Sequence, residues 1–359
     1  MVLEIIIAVI SIITLVSLHE LGHFLVAKKF GVKVEEFGIG YPPRIIGKRI
    51  GETFYSLNLL PFGAFVKMPG EIGESKDPRS FSAQSVGRRI LIALGGVVTF
   101  WIMAAFLFSI VFSLGAPTVV EDETVTNITD PKVQITSVDS NSPADLVGIK
   151  AGDIIKEMSF GEQVEVPSTI KEVQDFTNNH LGKEIFLTVE RKGELITLSL
   201  IPRITPPTGQ GPMGVGLVRT AIKKYPWYLA PGQGIITTIN LTVGIIQGYG
   251  QAIVNVIQGI PSGVQMAGPV RVFQMLSYAQ QMGLNHFIGF LGMISIYLAI
   301  FNILPIPALD GGKIAFLVLE GIRKKPIPKR IEYNITAGFF ILLLILMVWV
   351  TINDIKAIF

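Results

Sequence analysis

Residues 2–27 read VLEIIIAVISIITLVSLHELGHFLVA. At a rise of about 1.5 Å per residue this stretch is long enough, as a helix, to cross the roughly 30 Å hydrocarbon layer of a bilayer. It opens with Glu4 rather than a basic segment and shows no small-residue cleavage site, so it reads as a span and not as a secretion signal. His19-Glu20-Leu21-Gly22-His23 occupies its last two turns. Four residues are close to one helical turn, so the two imidazoles share a face and can hold one metal ion, with Glu20 beside them to take a proton from water. Ionisable groups inside a span are expensive and face a protein interior or cavity.

The rest of the chain fits a membrane protein. Half of its 359 residues are apolar and 16% are charged, outside the usual range of soluble domains. A net charge of +3, with no Lys/Arg block, excludes nucleic acid as an expected partner. There is no cysteine, which leaves His and carboxylates as metal ligands. Three further stretches are long and apolar enough to span: Ile90 to Leu114, Phe287 to Leu304 and Ile335 to Ile352. Ile235 to Ile260 is also apolar, but Thr237, Asn240, Gln247, Gln251, Asn255 and Gln258 trace one helical face, which suits a helix in the interface or packed on the spans.

Lys28 to Arg89 carries eleven Lys/Arg against six Asp/Glu, and Lys313 to Arg330 adds six Lys/Arg; both are expected in the cytoplasm. Gly115 to Leu284 carries twelve against fifteen and is expected outside, together with the N-terminus. The first and third spans then run the same way. A third metal ligand follows from that geometry. Asp310 falls in the run Asn302 to Gly312, in which Pro305 and Pro307 break a helix, and it reaches the depth of His19 and His23 at the cytoplasmic face. His180, read as a surface residue of a helix, and His286, read as an interface residue opening the third span, are poor candidates. Zinc is the expected ion.

Within the external stretch, Val133 to Val138, Glu184 to Glu190 and Leu195 to Ile201 read as strands and Ser168 to His180 as a helix. Asn141-Ser142-Pro143-Ala144, Gly148 and Gly152-Asp153-Ile154-Ile155 resemble a PDZ domain of the bacterial protease type, a module that binds extended chain ends at a sheet edge. Thr53 to Leu59 and Ala64 to Val66 read as strands about a turn at Pro61-Phe62-Gly63.

Taken in order, His19-Glu20-Leu21-Gly22-His23, Phe37-Gly38-Ile39-Gly40, Pro61 to Val66, Ala267-Gly268-Pro269-Val270 and Asn302 to Gly312 resemble the site-2 protease family, in particular its bacterial branch with one PDZ domain. The resemblance implies an intramembrane zinc metallopeptidase with Glu20 as catalytic base and His19, His23 and Asp310 on zinc. Asn302, Pro305 and Phe65 would contact substrate, and Thr53 to Val66 would form a membrane-associated hairpin that presents substrate as a strand. It further implies single-span membrane proteins as substrates, such as anti-sigma factors or remnant signal peptides, membrane lipid as surroundings, and the bacterial inner membrane as location.

The expected fold is therefore membrane α-helical with about four transmembrane helices, a membrane-associated β-hairpin loop and an inserted α+β PDZ-like domain. The expected order is a span at 1–27, a cytoplasmic loop at 28–89, a span at 90–114, the PDZ-like domain at 128–205, an interfacial segment at 206–284, a span at 285–312, a cytoplasmic loop at 313–334 and a span at 335–354. Three departures from the family pattern stand out: Gly95-Gly96-Val97-Val98-Thr99 lacks the asparagine that the family often shows there, one PDZ-like domain is visible where some members carry two in tandem, and Arg271 replaces a small residue. The rival reading is a non-catalytic membrane scaffold with a PDZ domain and a structural metal site.

Overall fold

A computed structural model describes residues 2–71, 73, 75–123, 128–191, 193–262 and 267–358. In chain order the first elements are α1 (Val2–Lys29), β1 (Glu36–Ile50), β2 (Thr53–Lys67) and α2 (Val86–Leu114). A run of strands and short helices follows: β3 (Ala116–Val119), β4 (Ile128–Val138), α3 (Pro143–Leu146), β5 (Ile154–Phe160), β6 (Gln163–Glu165), α4 (Ile170–Asn179), β7 (Ile185–Arg191), β8 (Glu194–Leu200) and β9 (Val215–Lys223). The chain ends on α5 (Ala230–Ile257), α6 (Pro269–Gln281), α7 (Leu284–Ile303), α8 (Asp310–Arg323) and α9 (Lys329–Ile358). It forms two compact units, one of Met1–Val111 with Tyr228–Phe359, the other of Phe112–Trp227.

In the first unit α1, α2, α7 and α9 are the helices long and apolar enough to cross a membrane among the described residues. α5 is as long but does not reach that apolarity. Ala8 and Leu15 of α1, Val97 and Phe100 of α2, Leu276 of α6 and Leu291 and Ala299 of α7 make one core. A second, around Ala27, Val34, Met68, Phe81, Ile92 and Leu317, joins the end of α1 to the loop before α2 and to α8. Between lipid-facing helices, close approach supplies the attraction that water would otherwise supply. Here Gly22 lets α1 touch α2: a methyl there would lie 2.2 Å from Thr99 Oγ1 and 2.4 Å from the Gly95 carbonyl oxygen.

The helix ends sort into two groups. Glu4, at the start of α1, accepts from Ser277 Oγ at 2.9 Å, and Asp354, near the end of α9, accepts from the Gly268 and Arg271 N–H groups that open α6. At the opposite end, Arg89 at the start of α2 forms a two-pronged pair with Glu320 of α8. Lys313 pairs with Glu71, and Lys329 at the start of α9 reaches the Gly73 carbonyl. α1 and α9 therefore run in opposite directions.

The expected turn is present, together with a second reversal that the sequence reading does not include. One is at Gly51-Glu52, where Ile50 pairs with Thr53. The other lies at Pro61-Phe62-Gly63, within the residues assigned to β2, Gly63 taking a φ of 103°. Residues 36–39 lie between the two arms that this turn joins, pairing in the same sense with Phe54–Leu57 on one side and in the opposite sense with Ala64–Lys67 on the other. Strand β2 also inverts the usual pattern: Ser56 and Asn58 are buried while Leu57 and Leu59 are exposed. Buried polar groups persist only when paired. Ser56 Oγ donates to Glu36 Oε1 at 2.7 Å, and Asn58 Nδ2 donates to the Gly40 carbonyl at 3.0 Å.

The second unit holds a sheet in the order β3-β9-β4-β5-β7-β8, with β6 on β5. β3 and β9 fall outside the expected 128–205: β3 has only four residues, and β9 is separated from β8 by the Pro- and Gly-rich run 202–214. Its core gathers Ile135, Ile155, Met158, Val173, Phe176, Leu187 and Val189. A groove of about 340 Å³ runs beside α4 and β9, lined by Ile170, Val173, Thr177, Met213, Val215 and Leu217. Asp153, 1% exposed, holds Arg191 through Nε at 2.7 Å and Nη2 at 2.6 Å.

Candidate metal centre

α1 carries His19 and His23 one turn apart, both buried. α2 crosses at this level and shapes the site. The Ile92 carbonyl lies 2.8 Å from His23 Nδ1 and can only accept, so that nitrogen bears the proton and Nε2 of the neutral ring presents a lone pair. His19 stacks on Phe100, ring centroids 4.5 Å apart. Gly96 makes the floor: a methyl there would sit 2.2 Å from His23 Nε2 and 2.7 Å from His19 Cε1.

The third side comes from beyond α7. That helix ends at Ile303, and Asp310 opens α8 after the turn through Pro305 and Pro307. The turn is tight enough that a methyl on Gly311 would meet the Leu304 carbonyl at 2.2 Å and one on Gly312 the Ile306 carbonyl at 2.2 Å. Two successive residues without a Cβ let α8 start directly under α7. Asp310 then arrives at the level of the two imidazoles, and α1 and α7 run in the same direction, as the match in depth requires.

The three ligand atoms converge. His19 Nε2 is 3.2 Å from His23 Nε2 and 3.2 Å from Asp310 Oδ2, and His23 Nε2 is 3.3 Å from the same oxygen. Ligands at about 2.05 Å around a tetrahedral zinc are separated by about 3.3 Å, so the donor set fits that ion. A lone pair on His23 Nε2 aimed at the same point as a buried carboxylate oxygen is also unfavourable without a cation between them. Asp310 Oδ2 is buried and accepts no hydrogen bond among the described residues. No other group of three or more His, Cys, Asp or Glu side chains converges this way among those residues.

Glu20 follows His19 on α1 and is half-buried. Asn302 lies in the last turn of α7, its Nδ2 donating to the Leu298 carbonyl at 2.9 Å, and Pro305 is exposed in the turn that follows. Phe65 lies on β2, its ring across Gly38 and stacked on Tyr41. The structure thus brings His19, His23 and Asp310 together; the remaining expected site residues lie on the elements around them. His286 is in the first turn of α7, half-buried. His180 is a correction: it is 6% exposed, not a surface residue, because Nδ1 meets the Phe176 carbonyl at 2.7 Å and the ring sits against Phe160 and Phe176.

Sequence reasoning missed the part played by α2. The adjacent Gly95-Gly96 inside an apolar span is the signal that could have found it, since paired glycines in such a helix mark a close approach. Thr99, where the family often has asparagine, turns its hydroxyl to the Gly95 carbonyl at 2.8 Å and faces Gly22 of α1.

Comparison with known proteins agrees with this geometry. The model of peptidase family M50 matches residues 7–346. A protein of Clostridium perfringens, named provisionally as a zinc metalloprotease, is 34% identical over 354 residues, covering 98% of each chain. One of Clostridium acetobutylicum with the same provisional name is 33% identical, covering 98% of this chain and 97% of that protein. Another, of a Nostoc species, is 30% identical over 97% of this chain and 94% of its own length. With a match to nearly the whole length and relatives of this identity, the chain belongs to peptidase family M50, the site-2 protease family.

Proposed function

We propose that the protein is an intramembrane zinc endopeptidase that hydrolyses peptide bonds within or near the transmembrane segments of other membrane proteins. The observation that carries this reading is the convergence of His19 Nε2, His23 Nε2 and Asp310 Oδ2 at tetrahedral spacing at the ends of membrane-length helices. These three side chains would hold zinc. When bound, the ion supplies Lewis acidity and a lowered pKa for a coordinated water. Glu20 takes the proton of the attacking water and returns it to the leaving nitrogen. Asn302 and Pro305, in the turn beside Asp310, and Phe65 on the sheet contact the substrate strand.

Single-span proteins, among them anti-sigma factors and remnant signal peptides, form the substrate class. The unit of Phe112–Trp227 acts as a PDZ-like module, its groove beside α4 and β9 suited to an extended chain. The location is the bacterial inner membrane, with that unit and the N-terminus outside and the metal site near the cytoplasmic face, supported by the charge bias of the loops. The rival, a scaffold with a structural zinc, needs a fourth protein ligand to close the site, and the described residues offer three. Co-expression with candidate single-span proteins tests the reading. Cleavage by the wild type and none by Glu20→Gln is the expected result, and equal cleavage by both removes it.

A further inference from the structure

α8 brings Asp310 to the metal site, yet the turn that carries it is a weak start for a helix. Its N-cap, Leu309, makes no side-chain hydrogen bond to the first N–H groups, and Gly311 and Gly312 follow Asp310 directly. Each glycine in a helix costs about 1 kcal/mol relative to alanine. The turn is closed by bonds from the Gly312 and Lys313 N–H groups to the Leu309 carbonyl, at 3.1 and 3.2 Å. What fixes Asp310 in place therefore has to act from further along the helix.

Beyond the glycines, Lys313, Leu317 and Glu320 follow at spacings of three and four residues, so with Asp310 they form one stripe along α8. Each member of the stripe is tied. Lys313 pairs with Glu71 and lies over the Phe81 ring, 4.3 Å from its centroid. Leu317 joins the core that holds Ala27, Phe81 and Ile92. Glu320 accepts from both prongs of Arg89, with Nη1 at 3.1 Å from Oε2. The four charged side chains are only 13% to 24% exposed, where screening by water and salt is weak, and a two-pronged pair also fixes direction.

α2 joins the two halves of the site. Arg89 is three residues before Ile92, whose carbonyl holds His23 Nδ1, so one turn of α2 sets the imidazole with a main-chain atom and α8 with a guanidinium. From Glu320 back to Asp310 is ten residues, about 15 Å of helix. That rod ends with Asp310 Oδ2 at 3.2 Å from His19 Nε2 and 3.3 Å from His23 Nε2.

We propose that Arg89 with Glu320 and Lys313 with Glu71 are positioning pairs for the metal centre: they lock α8 against α2 and the loop before it, and so hold Asp310 within ligand distance of both imidazoles. The pairs act on zinc affinity, which is read without turnover. The proposal can therefore fail while the peptidase reading stands, and it can stand if that reading fails.

In the full-length protein, zinc affinity measured against a competing chelator should fall about tenfold to a hundredfold in Glu320→Gln and in Glu71→Gln. Arg89→Lys should fall by a similar factor, because it keeps the charge and loses the fork. Exchanging the partners, Arg89→Glu together with Glu320→Arg, should recover most of the loss. The decisive comparison is made in Asp310→Asn, which weakens zinc binding by itself. If the pairs act through Asp310, adding Glu320→Gln or Glu71→Gln to that variant should weaken binding no further. The same fold-change in both backgrounds would mean that the pairs merely stabilise the fold, and it would overturn the proposal. Affinity within about twofold of the wild type in the folded single variants of a pair would overturn the role of that pair. Should the single variants fail to fold, the exchanged pair carries the test: a folded exchange that binds zinc as weakly as Asp310→Asn would overturn the proposal as well.

Discussion

His23 shows how much a single contact decides. Its Nδ1 proton is committed to the Ile92 carbonyl, so the ring offers Nε2 to the metal in a fixed tautomer. His19→Ala, His23→Ala and Asp310→Ala should each purify with little zinc, and His286→Ala with a full complement, by metal analysis. Glu20→Gln separates chemistry from binding: zinc stays and turnover falls by about 10²–10⁴. Gly96→Ala adds a less obvious case. Its methyl would fall 2.2 Å from His23 Nε2, so the variant should lose zinc although no ligand has been touched. Full zinc occupancy in Gly96→Ala would mean that α2 can move away from α1 without cost. The convergence of the three side chains was legible in the sequence, since helical spacing fixes His19 against His23 and the broken helix at Pro305 and Pro307 singles out Asp310. The surroundings were not, because the Ile92 carbonyl and Phe100 carry no motif and meet the histidines only through the crossing of two helices.

Elements were legible where periodicity is strong and blurred where it is local. The four spans emerge from hydropathy, although α2 begins at Val86 and α9 at Lys329, earlier than the apolar runs, because helices continue past the hydrocarbon edge into charged turns. The turn at Pro61-Phe62-Gly63 was legible from its local signal, whereas the reversal at Gly51-Glu52 and the insertion of residues 36–39 between the two arms were not, because long-range pairing decides them. In the second unit, β5 and β7 are tied by Asp153 and Arg191. Burial alone would raise the Asp153 carboxyl, but hydrogen bonds from Arg191 and from the Lys150 N–H outweigh it, and the net shift is downward from the ordinary 3.8. A carboxyl depressed in the folded state lends stability that is present above its unfolded value and lost as pH falls through the lower, folded one. The unit of Phe112–Trp227 should therefore be stable at neutral pH and become sensitive to proteolysis below about pH 4. Asp153→Asn should destabilise it by about 2 kcal/mol at neutral pH, since the partly exposed Arg191 and the Lys150 N–H would lose a charged acceptor. Denaturant unfolding of that variant, compared with the wild type at pH 7 and pH 3.5, checks both statements; a gap of the same size at the two pH values would show that the carboxylate charge is not what matters.

At the scale of the molecule, sidedness can be read by labelling. Single cysteines introduced at Ser75 and Ser168 should react with an impermeant reagent from opposite faces of intact membranes, and labelling from the same face would overturn the proposed topology. Access can be tested by excision. Because Ala116 pairs with Lys223 across β3 and β9, the two ends of the second unit lie side by side, and a short flexible linker can replace residues 116–223. If the unit filters substrates, a trimmed one should be cut at its former rate and an untrimmed one faster. If it recruits them, cleavage of both should fall, with zinc unchanged.

The ties that build the metal site have one property in common: they are long in sequence. The Ile92 carbonyl meets a ring 69 residues earlier, and Arg89 waits 231 residues for Glu320. Asp310 is made nearly the whole length of the chain after His23. At about 5–20 residues per second, synthesis takes roughly a quarter of a minute to a minute to cover that interval. Throughout it the growing chain lies in the membrane with two of its three ligands and no α8. A metal centre built in this way is thus incomplete while the chain is being made, and it closes only once the last side of the site has been translated and folded into place.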